Sequence, residues 1–372
     1  MIDSMQLTLS VYANPFVYAD PLEEQHRFER LFNFIKENQV YDPSLLTKTK
    51  DGKTVGNAYA YNDYKDKGVQ FQIDEYSGQV LVTVYPHRLI DPTDRVSLYT
   101  PQDHDFFISG INQIMDEIDS PHIDTSHWQV KRVDYAINIL TPYPRLYLDL
   151  LNRSHSKHYQ SHEIYDGNSC YLRGKGCTYN IYDKQNQLMK KLSNPYSRQD
   201  VTNKDIEDAQ DILRLEIQCR KQKVEAIRKS YKWKDRNIEN YLQPSVAIGV
   251  LHTCAKHFYN GEYHTAEKGK GNSVFNLIDS AKGLQQSTKD NMTLIANMLS
   301  SDRNVTLDEV KDSLTPNTIS PSKFTTIIRR FNALNINPVP IPTLQARQYH
   351  LTSLESLPTL LNEYIEVACL PT

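Results

Sequence analysis

The chain has 372 residues, too many for one ordinary core, so two or three modules are expected. Its 39% apolar and 23% charged content is that of a globular chain and excludes disordered, collagen-like and coiled-coil classes. No apolar run reaches the ~20 residues of a membrane helix, and Met1-Ile2-Asp3-Ser4-Met5 has neither the basic nor the apolar region of a secretory signal. No membrane partner is therefore expected. Five cysteines without CxxC spacing read as reduced thiols of a cytoplasmic protein. The net charge of −3 is unevenly spread. Residues 1–127 carry 10 lysines and arginines against 20 acids, whereas residues 128–236 carry 21 against 13. A basic middle of this size points to a polyanion, most simply nucleic acid.

In chain order, Met5 to Tyr12 alternates as a strand does, and Glu23 to Gln39 carries a helical stripe of Phe28, Leu31, Phe32 and Ile35. Gly68–Ile73 and Gln79–Tyr85 read as a hairpin. Pro101–Ile118 reads as a helix with Phe107, Ile111, Ile114 and Ile118 inward, and Gln129–Leu140 as a strand. The order then partly repeats. Arg145–Arg153 is a short helix, Ser169–Lys184 holds two extended stretches around Gly174-Lys-Gly176, and Ile212–Arg220 is a strand before helices from Lys223. The expected fold is α+β, with two ferredoxin-like halves sharing one antiparallel sheet. The expected modules are 1–127, 128–260 and a helical 261–372. In the last, Val274–Ser300 is mostly helical, Thr306 and Glu309 form a capping box, and Ser322–Leu334 completes a helix-turn-helix-like unit.

The chemistry concentrates on three strands of the basic middle. In Arg132-Val-Asp-Tyr-Ala-Ile-Asn-Ile139, Val133, Tyr135, Ile137 and Ile139 share one face, and Arg132, Asp134, Ala136 and Asn138 the other. Leu213 to Gln218 opposes Arg214, Glu216 and Gln218 to its leucines and isoleucine. Tyr179 to Lys184 places Asn180, Tyr182 and Lys184 opposite Ile181. If the strands are neighbours, two carboxylates, a phenol, an ammonium and two guanidiniums meet on one open surface. Two such carboxylates can hold Mg²⁺ or Mn²⁺, and cations beside a phosphate stabilise charge in its transition state. A tyrosine there can be a nucleophile. The same pattern also suits cross-strand ion pairs on a solvated face.

Arg132-Val-Asp134, Ile181-Tyr-Asp-Lys184 and Leu213-Arg-Leu-Glu216 followed by a basic helix resemble the rolling-circle replication initiators of the phage gene II/X and plasmid type. The likeness covers roughly residues 125–260. It implies a Rep-nuclease-like fold and a protein that nicks and rejoins one DNA strand at an origin through a phosphotyrosyl intermediate. It implies Tyr182 as nucleophile, Asp134 and Glu216 as ligands of Mg²⁺ or Mn²⁺, and Lys184 and Arg214 as phosphate-binding catalytic groups. DNA would be held by Arg132, Arg173, Lys175, Arg220, Lys221, Lys223, Arg329 and Arg330, with a host helicase as a further partner. Asn180 and Asn138 stand where relatives often have an arginine and a second acid, which leaves a DNA-binding-only protein as an alternative. A relaxase for conjugative mobilisation would share the chemistry. No His-x-His occurs, so the related two-histidine nucleases do not fit.

Overall fold

The computed structural model describes residues 1–10, 21–48, 54–55, 58–74, 79–118, 128–154, 161–164, 169–194, 201–301, 304–315 and 317–368. The Asp-Glu-Tyr-Ser-Gly turn, His155, His158 and Cys369 lie largely or wholly outside them. The sheet is built from β1 (Ile2–Ser10), β2 (Val69–Asp74), β3 (Gln79–Val84), β4 (Gln129–Leu140), β5 (Ser161–Ile164), β6 (Ser169–Arg173), β7 (Cys177–Asp183) and β8 (Ile212–Cys219). Their spatial order is β2-β3-β1-β4-β8-β7-β6-β5, every pair antiparallel. The first strand therefore starts earlier than its alternation suggested.

Strict period-two alternation gives this sheet two unlike faces. Val133, Tyr135, Ile137 and Ile139 of β4 point into one core with Leu213, Leu215 and Ile217 of β8 and Tyr179 and Ile181 of β7. Helices cover that face: α1 (Pro21–Asn38) and α2 (His104–Glu117) over the first strands, α3 (Pro144–Arg153) beneath β6 and β7. The other face carries the polar residues. Part of it is roofed by α4 (Lys184–Ser193) and α5 (Asn203–Asp208), where Leu188, Val201 and Ala209 pack with Val96 and Ile212 in a small second core. The polar face is thus not the open surface expected from sequence at its centre, because this second core closes one end of it.

Two bulges join β1 to β4. Between Ile2↔Tyr135 and Ser4↔Asp134 the extra residue is Asp3; between Gln6↔Arg132 and Leu7↔Val130 it is Lys131. A bulge re-aims side chains. The first turns Asp3 toward Arg214; the second leaves Val130 and Val133 both buried while Lys131 lines a cleft on the polar face.

After β8 come α6 (Lys221–Ser230) and α7 (Pro244–Ala255), both packed on the apolar face of β4. The C-terminal region is helical: α8 (Val274–Ser280), α9 (Gln286–Ser301), α10 (Leu307–Leu314), α11 (Pro321–Ala333) and α12 (Leu357–Ala368). The mostly helical run expected over Val274–Ser300 consists of α8 and α9 with a break between them. The capping box at Thr306 is formed, with Thr306 Oγ1 and Glu309 bonding each other's backbone N–H. α10 and α11 both pack on α9, and α12 packs on α7 and β4. No helix among the described residues is long and apolar enough to cross a membrane.

Arg153 at the end of α3 fastens this region to the sheet. Buried, it donates from Nε to the Val305 carbonyl at 3.2 Å, from Nη1 to the Pro340 carbonyl at 3.5 Å, and from Nη2 to the Leu299 carbonyl. Removing the guanidinium strands buried acceptors around the end of α9, a loss of about 3 kcal/mol. Arg153→Met is expected to lower the urea midpoint accordingly and to speed proteolysis after residue 300. A midpoint within error of the parent would contradict this anchoring role.

Candidate active site

On the polar face, strand pairing sets the neighbours. Asn180 lies opposite Glu216, Tyr182 opposite Arg214, Arg214 opposite Asn138, and Gln218 opposite Asp134. Arg132, Asp134, Tyr182, Arg214 and Glu216 are therefore brought onto one patch of three adjacent strands, as the alternation predicted. Lys184 joins them from the first position of α4 rather than from the strand. Asp183 ends β7 by capping that helix, accepting from the Asn186 backbone N–H at 3.0 Å, and pairs with Arg145 at 3.5 Å. Tyr179 is buried on the opposite face beside the His257 ring, so the parity that separates it from Tyr182 holds.

The centre is a tyrosine–carboxylate pair. The Tyr182 hydroxyl donates to Glu216 Oε2 at 3.4 Å, and Gln218 Nε2 donates to Glu216 Oε1 at 2.8 Å. Arg214, 1% exposed, donates from Nε to Asn138 Oδ1 and from Nη1 to Asp3 Oδ1, both at 2.8 Å, and from Nη2 to the Val96 carbonyl. Asn138 in turn donates to the Val96 carbonyl at 3.1 Å. Its place in the sequence thus serves to hold the arginine. Lys184, also buried, donates to Gln187 Oε1 at 3.2 Å.

Burial governs protonation here. It pushes the Glu216 carboxyl up to about 7, aided by the neighbouring negative charges of Asp3 and Asp134. It raises the Tyr182 phenol well above its usual value and, together with the Arg214 charge, drives the Lys184 ammonium well below its own. The resting site holds a neutral phenol. With the Lys184 ammonium disfavoured, the phenol needs an acceptor for its proton, and Glu216 is in bonding contact.

Arg132 and Asp134 behave otherwise than expected. Arg132 grips Asp134 through Nε–Oδ1 at 2.8 Å and Nη2–Oδ2 at 2.5 Å, and the Ser4 hydroxyl donates to Oδ2 at 2.6 Å. Both carboxylate oxygens are engaged, so Asp134 is a poor first ligand for a cation, and Arg132 is committed to it. Among the described residues no group of three or more His, Cys, Asp and Glu side chains gathers in a way that could hold a metal ion. One observation does fit a hard cation: Asn180 Oδ1 is buried without a hydrogen-bond partner among the described residues, at the position paired with Glu216. It is a hard oxygen donor of the kind Mg²⁺ or Mn²⁺ takes, with much of the shell left for water and phosphate oxygens, whereas both Glu216 oxygens already accept hydrogen bonds.

The basic residues expected on DNA divide into two groups. Lys175, Arg220, Lys221 and Lys223 gather where the Gly174–Gly176 turn meets the start of α6. The Arg220 backbone N–H donates to the Gly176 carbonyl at 2.9 Å, and a Cβ on Gly176 would lie 3.2 Å from the Lys223 nitrogen. Arg220 also donates to Thr178 Oγ1 at 2.8 Å, on the same face as Glu216, and Arg173 is the strand partner of Thr178. Arg329 and Arg330 instead lie on the exposed edge of α11. Sequence reasoning missed Asp3, Ser4 and the Val96 carbonyl; no local signal marks a bulge or a backbone acceptor.

Compared with protein-family models, curated proteins and solved structures, the chain matches none.

The raised Glu216 carboxyl carries a pH signature. Its folded value, about 7, exceeds the ordinary 4.5, so between these the native state binds more proton than the unfolded one. Stability must then fall as pH rises through that window. Glu216→Gln, measured by urea unfolding, is expected to gain stability over the parent at pH 8 and to lose that gain at pH 4. An advantage independent of pH would contradict it.

Proposed function

We propose that this chain nicks and rejoins one DNA strand through a phosphotyrosyl intermediate on Tyr182, as a replication initiator does. The observation that carries the reading is the buried Tyr182–Glu216 hydrogen bond, flanked by Arg214 and Lys184. A phenol with a raised pKa attacks only if its proton leaves in the same event, and a carboxylate near 7 takes a proton efficiently at neutral pH. Tyr182 Oη would form the bond to phosphorus as its proton passes to Glu216, the P–O3′ bond would break, and the leaving 3′ oxygen would take a proton from water. Reversal returns that proton and rejoins the strand. The Arg214 guanidinium, held by Asp3 and Asn138, stabilises charge on the phosphoryl oxygens without having to reorganise. A divalent cation beside Asn180 Oδ1, coordinated chiefly by water and phosphate oxygens, would add Lewis-acid stabilisation and leave Glu216 to the proton.

Exposure grades along β8 support a direction of approach. Arg214 is buried, Gln218 half-buried and Arg220 exposed, so a strand reaches the pair from the end marked by Lys175 and Arg220. The fold part of the reading is supported by the order β2-β3-β1-β4, that of a ferredoxin-like unit; in the second half β8 lies between β4 and β7 instead. The binding-only alternative draws on the engagement of Asp134 by Arg132.

The test is Tyr182→Phe beside Tyr179→Phe, each incubated with Mn²⁺ and labelled single-stranded DNA and resolved on a denaturing gel. Tyr182→Phe is expected to lose the protein-linked band, with a fall in nicking of at least about 10³-fold, in keeping with covalent catalysis. Tyr179→Phe is expected to keep the band. An adduct surviving in Tyr182→Phe would overturn the assignment, and DNA retention without any adduct would favour the binding-only protein.

A further inference from the structure

A cleft of about 660 Å³ opens on the polar face of the first three strands. Its lining includes the amides of Gln6, Gln39 and Gln72, the Tyr59 ring, and the opposite charges of Lys131 and Asp74, over a floor to which Leu81 contributes. We infer that this cleft receives an unpaired nucleobase of the DNA strand whose backbone lies at Tyr182. The inference rests on the reading that single-stranded DNA is the substrate.

The volume lies within the range of small-ligand sites. Its chemistry is that of a base rather than of a charged metabolite or an apolar peptide anchor. Carboxamides both donate and accept, which suits base edges; glutamine bonds adenine in this way. Gln39 Oε1 is buried and lacks a hydrogen-bond partner among the described residues. The contrast with Gln70 on the same strand as Gln72 is informative. Gln70 Nε2 is already engaged by Asn62 Oδ1 at 2.7 Å and Asp42 Oδ2 at 3.3 Å, and it stays out of the lining.

At the rim, Tyr41 and Tyr59 stand 58% and 48% exposed, their rings edge-to-face with centroids 5.8 Å apart. Exposed rings at a groove edge are the usual platform for unpaired bases, each stack contributing measurably and with little dependence on sequence. Lys131, placed in the cleft wall by the second bulge, can meet the phosphate beside that base.

The cleft belongs to the same surface as the candidate active site. Gln6 is the strand partner of Arg132, and Glu216 is that of Ala136, four residues along β4. Two strand spacings and that offset separate Gln6 from Glu216 by on the order of 15 Å, a few nucleotides of extended strand. A base held in the cleft would therefore fix which phosphodiester reaches Tyr182.

Binding of fluorescein-labelled 12-nucleotide single strands to the full chain, followed by anisotropy, tests this. One strand carries mixed bases; the other has the same backbone with every base removed. The parent is expected to bind the base-containing strand at least about tenfold more tightly. The double variant Gln72→Ala, Tyr59→Ala is expected to lose most of that preference and to bind the abasic strand as the parent does, with an unchanged melting temperature. Equal binding of both strands by the parent, or full preference in the double variant, would overturn the inference. Scoring the Tyr182 adduct in the same samples separates the two ideas. Base preference without an adduct refutes strand transfer and leaves the cleft standing; an adduct without base preference refutes the cleft alone.

Discussion

The burial of Arg214 is the constraint on which the rest of the polar face depends. An antiparallel sheet normally keeps one face in water. Here the second core of Val96, Leu188, Val201, Ala209 and Ile212 closes over one end, so the guanidinium lies 1% exposed. A buried ion must be surrounded by acceptors, or the fold loses several kcal/mol. Three distant parts of the chain supply them: the bulged Asp3 of β1, Asn138 of β4 and the carbonyl of Val96. The same exclusion of water that makes these partners necessary also shifts Glu216, Tyr182 and Lys184 from their solution behaviour.

Charge pairing then sorts the residues into holders and actors. Asp134 is saturated by Arg132 and Ser4, whereas Arg214 is positioned by three acceptors that use three of its five N–H donors. Glu216 is left with hydrogen bonds from Gln218 and Tyr182. Its carboxyl, pushed up to about 7, changes protonation near neutrality, and it touches the Tyr182 phenol. Under the proposed strand transfer, proton exchange between a neutral phenol and a half-ionised carboxylate would activate the nucleophile without a standing phenolate.

The face assignments of β4, β7 and β8 were legible from alternation alone. Their apolar residues form a strict period of two, and one core face suffices to set the register. The Thr306 capping box was legible because it is a local pattern of four residues. What sequence could not show is non-local. The Asp3 and Lys131 bulges exist only in the pairing of β1 with β4, and no residue type announces them. The roof over Arg214 comes from Leu188 of α4 and from Val201 and Ala209, which flank α5, and only the tertiary fold brings them together. Asp183 stands within the Tyr-Asp-Lys stretch that carries the resemblance, and in the fold it works as the cap of α4. The break between α8 and α9 fell inside a run whose apolar spacing carries on across it.

Peptide mapping by mass spectrometry tests the central claim most directly. The parent protein is reacted with Mn²⁺ and a random-sequence single-stranded DNA library, treated with nuclease, digested and sequenced by fragmentation. A nucleotide phosphate linked to the Tyr182 oxygen, in the peptide spanning β7, is the predicted result. The same mass on Tyr171, Tyr179 or any other residue, or no modified peptide at all, would contradict an active site built around the Tyr182–Glu216 pair.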